Sequence, residues 1–214
     1  MYKLAIFDLD GTILDTLKDL TNSTNYALKK NGYKERTIEE VRSFVGNGIG
    51  KLIERALPKE TEREVYEKVL RDFTEHYKIH CADYTCAYDG IVKLVIKLKE
   101  RGIKTAVVSN KADFAVKSLC EQYFKGLFEY TVGERTGIKR KPEPDSVYEV
   151  MNRLNISKEN TVYIGDSEVD IKTANNAGID IISVDWGFRK KEFLVENGAK
   201  VIASNMHELL YDLT

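Results

Sequence analysis

No apolar stretch in this chain of 214 residues approaches the ~20 that a membrane-spanning helix needs. The start, Met1-Tyr2-Lys3-Leu4 leading to Asp8, is too short and too acidic for a secretory leader. Cysteine is scarce and odd in number; Cys81, Cys86 and Cys120 are scattered, which argues against a disulfide framework and fits reduced thiols. Neither sign of charge dominates, since 33 Lys+Arg stand against 34 Asp+Glu for a net charge of -1. Such a balance gives no global attraction to nucleic acid or to an anionic membrane. There is no internal repeat and no low-complexity tract. These absences predict a cytoplasmic globular protein without a nucleic-acid or membrane partner, and they set no oligomeric state.

What is present is a series of short β-branched or aromatic runs: residues 4–7, 105–108, 128–132, 161–164, 179–184 and 200–203. They read as buried parallel strands. Helical spacing lies between most of them, as in Ile91, Leu94, Val95 and Leu98 before Gly102, and Val147, Val150, Met151 and Leu154 after Pro144. The alternation predicts an α/β fold with a doubly wound, mainly parallel, Rossmann-like core sheet. Between the first two runs the chain covers residues 14–88, far more than the ~10–12 residues of a simple crossover. An inserted helical domain is therefore expected at residues 17–82, with the core formed by 1–16 and 83–214; apolar spacing at Leu52, Ile53, Ala56, Leu57 and at Val65, Val69, Leu70, Phe73, Tyr77 supports it. Because the insert leaves and rejoins beside the first loop, it can serve as a lid that selects substrate.

The chemistry concentrates where the strands end. The first runs into Asp8-Leu9-Asp10-Gly11-Thr12, placing two carboxylates on one side of an extended segment, with Gly11 free to turn and Thr12 offering a hydroxyl and an N–H to an anion. The second ends in Ser109-Asn110-Lys111, a cradle for a phosphate oxygen or a plain helix cap. Lys139-Arg140-Lys141-Pro142-Glu143-Pro144 is a cationic run before a proline-primed helix, or a solvated loop. The fourth, Gly165-Asp166-Ser167 with Asp170 one turn later, offers hard oxygen ligands without a single His or Cys, or again a helix cap. Together these groups are the inventory of phosphoryl transfer.

In order and in kind, Asp8-Leu9-Asp10-Gly11-Thr12, Ser109-Asn110, Lys141-Pro142 and Gly165-Asp166-Ser167 with Asp170 resemble the four motifs of the haloacid dehalogenase superfamily. The insert resembles that family's small helical cap, and Val45-Gly46-Asn47-Gly48-Ile49-Gly50 resembles the cap segment of its phosphoglycolate phosphatase branch. The resemblance implies Asp8 as nucleophile forming an aspartyl-phosphate and Asp10 as the acid that protonates the leaving group and then activates water. It implies Mg²⁺ held by Asp8, Asp166 and the backbone carbonyl of Asp10, with Asp170 supporting the metal shell and Ser109 and Lys141 holding the phosphoryl oxygens. An acid at position 10 points to phosphate rather than halide. The expected activity is hydrolysis of a small phosphorylated metabolite, phosphoglycolate first. The alternatives are a sugar-phosphate mutase of the β-phosphoglucomutase type, a pyrophosphatase, and, outside enzymes, a phospho-accepting signalling module.

Two weaker signals are set aside. Gly46-Asn47-Gly48-Ile49-Gly50-Lys51 has Lys51 where a dinucleotide fingerprint needs its third glycine and no strand before it, so Gly46, Asn47, Gly48 and Lys51 are expected to form a substrate loop. His76 and His80, followed by Cys81 and Cys86, make no fixed zinc pattern and read as surface or hinge residues. The aromatics Tyr66, Phe73 and Tyr77 read as core of the insert.

Overall fold

Leu4–Phe7 (β1) has no polar residue, and all four of its side chains are buried, as a central parallel strand covered on both faces requires. The computed structural model describes residues 1–214. After β1 come Leu14–Asp15 (β2), four helices, Leu17–Lys30 (α1), Ile38–Phe44 (α2), Gly48–Ala56 (α3) and Arg63–His80 (α4), and Cys86–Ala87 (β3), which pairs with β2 as a separate two-stranded sheet. Strands and helices then alternate: Ile91–Glu100 (α5), Lys104–Ala112 (β4), Asp113–Phe124 (α6), Tyr130–Glu134 (β5), Asp145–Leu154 (α7) and Thr161–Gly165 (β6). The chain ends with Glu168–Ala177 (α8), Asp180–Val184 (β7), Lys191–Glu196 (α9), Ile202–Ala203 (β8) and Met206–Leu213 (α10).

The main sheet has six strands in the order β5-β4-β1-β6-β7-β8, every neighbouring pair parallel. From β1 the chain winds to one side through β4 and β5, then resumes on the other side with β6, β7 and β8. The order reverses beside β1, and a doubly wound sheet opens a crevice at the carboxyl ends of its strands at such a point. Phe7 is in register with Val107 and with Ile164, so Asp8, the end of β4 and the end of β6 arrive at one edge of the sheet.

One face of the sheet is sealed by α7 and α8: Leu4, Ile6, Ala106, Val108 and Tyr163 pack with Val147, Val150, Met151, Ala174 and Ala177. On the other face an aromatic chain runs from Phe7 through Phe128 to Phe124, with edge-on ring centroids 6.1 Å and 5.3 Å apart. Each such side chain contributes about 1.5–3 kcal/mol by leaving water, and the sheet edge that carries the polar groups is thereby held rigid.

The doubly wound sheet expected from the alternation is the one observed. It differs at β4, which continues four residues past Val108. Its register with β5 jumps from Val108–Val132 to Ala112–Glu134, so residues 109–111 form a bulge. Polar residues conceal that continuation from an apolar pattern. The two-residue strands β2 and β3 are too short to leave a periodic signal.

Contacts divide the chain into one unit of Met1–Leu14 with Ala87–Thr214 and a second of Asp15–Cys86, slightly wider than the 17–82 read from the sequence because β2 and β3 fall at the crossings. In the second unit, α1 packs on α4 through Leu20, Ala27, Leu28, Val69, Phe73 and Tyr77, all buried. Its ends are tied by Asp19, whose buried carboxylate accepts from the Tyr84 N–H, the Thr85 N–H and the Thr85 hydroxyl at 2.8–3.1 Å.

Asp72 on α4 accepts from Lys30 Nζ and Asn31 Nδ2, each at 2.7 Å. Burial opposes its charge, but the ammonium and the amide outweigh that and hold the carboxyl below its ordinary value of 3.8. A depressed carboxyl stabilises the fold fully above its unfolded pKa and loses that contribution as pH falls through the folded value. Asp72→Asn is thus expected to cost about 1–2 kcal/mol at pH 7, Lys30 being half exposed. Thermal melts should show the gap to the parent closing as the pH drops below about 4; a gap that is constant with pH would contradict the ion-pair origin.

Candidate active site

Asp8 is the first residue beyond β1, and its N–H donates to the Ile164 carbonyl at 2.9 Å, extending the pairing with β6 by one step. Its Oδ1 accepts from the Leu9 N–H at 2.7 Å and from Lys141 Nζ at 3.0 Å. The turn that follows needs Gly11: its φ is +82°, and a Cβ there would lie 2.3 Å from Asp166 Oδ2. Thr12 is fully buried, and its hydroxyl donates to Asp166 Oδ1 at 3.1 Å. The hydroxyl expected to face an anion therefore orients a carboxylate, because the glycine turn brings it against β6.

Lys141 is buried, and its ammonium meets three acceptors: Asp170 Oδ1 at 2.7 Å, Asp8 Oδ1 at 3.0 Å and the Tyr163 hydroxyl at 3.0 Å. Those match its three N–H groups, so it can reach a further acceptor only by exchanging one of these contacts. Burial opposes the charge, but Asp170 and Asp8 outweigh it and raise the lysine's pKa well above the usual range. Tyr163 in turn donates to the Val108 carbonyl at 2.6 Å. Asp170, fully buried on the first turn of α8, accepts through Oδ2 from the Ser167 N–H at 3.1 Å and the Ser167 hydroxyl at 2.6 Å. It thus caps its helix and anchors the lysine with the same carboxylate.

Asp8, Asp166 and Asp170 each offer a carboxylate oxygen, and those oxygens lie within 4.8 Å of one another. Burial, reinforced by its acidic neighbours against the pull of Lys141, raises the Asp8 carboxyl to about 6. Asp166 is driven well above the carboxylate range, by burial first and then by Asp170 and Asp8. Three buried carboxyl groups crowd one ammonium, and all of them offer hard oxygen donors. That set fits a divalent cation such as Mg²⁺, which favours carboxylate oxygens over softer ligands. Asp10, the remaining expected ligand, keeps its side chain outside this group, where Lys111 Nζ holds it at 2.9 Å and 3.2 Å.

The second motif lies in the bulge of β4, where Ser109, Asn110 and Lys111 are all buried. The Lys111 N–H donates to Ser109 Oγ at 3.3 Å, and Asn110 Nδ2 donates to the Lys141 carbonyl at 3.0 Å, tying β4 to the loop that carries the lysine. Ser109 is not a helix cap, since α6 begins at Asp113 after Ala112. Gly46, Asn47, Gly48 and Lys51 belong to the helical unit. There Gly46 and Gly48 have φ of +119° and +80°, Asn47 Oδ1 accepts from Arg55 at 2.8 Å, and Lys51 pairs with Glu54 at 2.7 Å.

Several participants escape a reading by motif. Tyr163 looks like one more strand residue; its only signal is a hydroxyl in an aliphatic run two residues before Gly165. The segment after β7 carries no motif at all, yet the Phe188 N–H donates to Asp166 Oδ2 at 2.7 Å and Trp186 Nε1 donates to the Thr12 carbonyl at 3.1 Å. Gly187 permits this approach, because a Cβ on it would sit 2.3 Å from the Gly11 carbonyl oxygen and 2.4 Å from Asp166 Cβ. Gly187→Ala is expected to destabilise by about 1–3 kcal/mol and to lower activity by displacing Asp166. Unchanged melting and unchanged turnover would show that this strand end is not held from behind.

A doubly wound sheet whose switch point gathers a strand-end aspartate, a buried lysine and a set of acids able to hold a cation defines a phosphoryl-transfer enzyme of the α/β class. The sequence profile of the "Haloacid dehalogenase-like hydrolase" family matches residues 5–184. Phosphoglycolate phosphatase 1 of Pseudomonas aeruginosa is 31% identical over 97% of this chain and 78% of its own length. Phosphoglycolate phosphatase of Colwellia psychrerythraea is 32% identical over 99% and 96%, respectively. A crystal structure from Lactobacillus delbrueckii subsp. bulgaricus, provisionally assigned as a phosphoglycolate phosphatase, superposes with a TM-score of 0.96 at 39% identity, covering 99% of this chain and 98% of that one. The chain belongs to the haloacid dehalogenase-like hydrolase family, and it is a phosphatase.

Proposed function

We propose that the chain hydrolyses the phosphate monoester of a small metabolite, phosphoglycolate first, through a phosphorylated Asp8. The observation that carries this reading is the placement of Asp8 beyond β1, buried, in contact with Lys141 and within 4.8 Å of two further carboxylates. In the proposed sequence an Asp8 oxygen attacks phosphorus while the bond to the leaving oxygen breaks and Asp10 gives that oxygen a proton. Asp10 then takes a proton from water attacking the same phosphorus, the bond to Asp8 breaks, and inorganic phosphate leaves. Lys141, exchanging its Asp8 contact, and Ser109 hold the phosphoryl oxygens, and Asn110 fixes Lys141 from behind through its carbonyl. Bound Mg²⁺, held by Asp8, Asp166 and the Asp10 carbonyl with Asp170 in support, supplies neutralisation of charge on the transferring group.

The helical unit is assigned to substrate selection through Gly46, Asn47, Gly48 and Lys51, which form not the loop expected from the sequence but a turn at Gly46 and Asn47 followed by the start of α3, where the glycines do not prevent the helix. Its cations are already engaged, Lys51 with Glu54 and Arg55 with the Phe44 carbonyl and Asn47, which favours a hydrolase over a mutase that must grip a second phosphate. The names of the relatives support phosphoglycolate as the substrate. A phosphate-release screen over small monophosphates, sugar phosphates and pyrophosphate with Mg²⁺ tests the reading. It should give the highest kcat/KM on phosphoglycolate with no bisphosphate activator. A preference for pyrophosphate, or isomerisation of a sugar phosphate without phosphate release, would overturn it.

A further inference from the structure

Only two lysines are buried, Lys111 and Lys141, and each meets a different acid of the first motif. The Lys111 side chain is 2% exposed, against 14% for Asp10, and Nζ contacts both Asp10 oxygens, at 2.9 Å and 3.2 Å. An ammonium is costly to bury without a partner, so the fold has a reason to bring it to that place. Lys111 lies in the bulge at residues 109–111, buried beside Ser109 and Asn110. We propose that Lys111 is a positioning residue for Asp10: by holding both carboxylate oxygens it fixes the orientation of the proton-transferring group and keeps it off Lys141. The two buried lysines then divide the work, Lys141 serving the nucleophile and the phosphoryl oxygens, Lys111 serving the acid. This rests on the proposed role of Asp10 in proton transfer, and the test separates the two.

A group that orients a proton donor matters most when the leaving oxygen needs a proton. The test compares the alkyl monophosphate turned over fastest in the screen with p-nitrophenyl phosphate, whose aryl oxide departs with little help. The parent, Lys111→Met, Lys111→Gln, Asp10→Asn and the double variant of Lys111→Met with Asp10→Asn are measured for kcat and KM. Lys111→Met is expected to lower kcat on the alkyl ester on the order of 10²-fold, and on the aryl ester by less than about tenfold. Lys111→Gln, which keeps a hydrogen-bond donor, should recover part of the loss, and it carries the test if Lys111→Met does not fold. The double variant should be no slower than Asp10→Asn alone.

Equal losses on both esters, a rise in KM at unchanged kcat, or a double variant slower by the product of the single effects would each overturn the assignment, the second by making Lys111 a substrate ligand. If Asp10→Asn itself treats the two esters alike, the acid role of Asp10 fails, and the assignment of Lys111 falls with it. If Asp10→Asn discriminates between them and Lys111→Met does not, only the assignment of Lys111 fails.

Discussion

Asp8→Asn is expected to lower kcat on the order of 10⁴-fold or more while the protein remains folded. The amide keeps the shape of the side chain but cannot attack phosphorus as an anion. Stability should move the other way. Burial holds the Asp8 carboxyl at about 6, above its ordinary 3.8, so at pH 7 the folded protein without metal carries a charge that it disfavours. A raised carboxyl pKa opposes folding above the unfolded value, and the neutral amide removes that opposition. Asp8→Asn should thus melt at or above the parent temperature in the metal-free state. A variant that melts far lower would mean the contact with Lys141 stabilises the fold, and turnover near the parent level would remove Asp8 from the chemistry.

Removal of the divalent cation should have an effect of similar size. Chelation is expected to abolish phosphate release, and Mg²⁺ should restore it; Ca²⁺ should restore it poorly, because it is larger and tolerates looser geometry. The cluster of Asp8, Asp166 and Asp170 also predicts a signal independent of turnover. A cation that binds only the folded state raises the melting temperature, and relieving the crowding of three buried carboxyl groups should make that rise distinct. Asp166→Ala should raise the Mg²⁺ requirement steeply and reduce the thermal shift. Full activity in excess chelator, or no thermal shift with Mg²⁺, would remove the metal assignment.

The parts of this architecture that follow from apolar periodicity were open to the eye in the sequence. Leu4–Phe7 is an unbroken apolar run and Thr161–Gly165 a β-branched and aromatic one, and their ends fall at the acids Asp8 and Asp166. Contacts that depend on register were not. The register of β4 against β5 jumps at residues 109–111, and the polar Ser109, Asn110 and Lys111 leave no apolar pattern from which that bulge could be read. Tyr163 is indistinguishable from its aliphatic neighbours until Lys141, 22 residues earlier, is seen to touch it. Trp186, Gly187 and Phe188 support Thr12 and Asp166 through an indole N–H, the lack of a Cβ and a backbone N–H, features that leave no pattern of residue types.

The most direct measurement is to identify the carboxylate that carries the phosphoryl group. Turnover is quenched with acid, the acyl phosphate is reduced with borohydride, and the peptide containing residues 8 and 10 is sequenced by mass spectrometry. The account predicts conversion of Asp8 to homoserine in the presence of substrate and Mg²⁺, none in Asp8→Asn, and Asp10 unmodified. Reduction at Asp10, at Asp166 or at no carboxylate while phosphate is being released would contradict it.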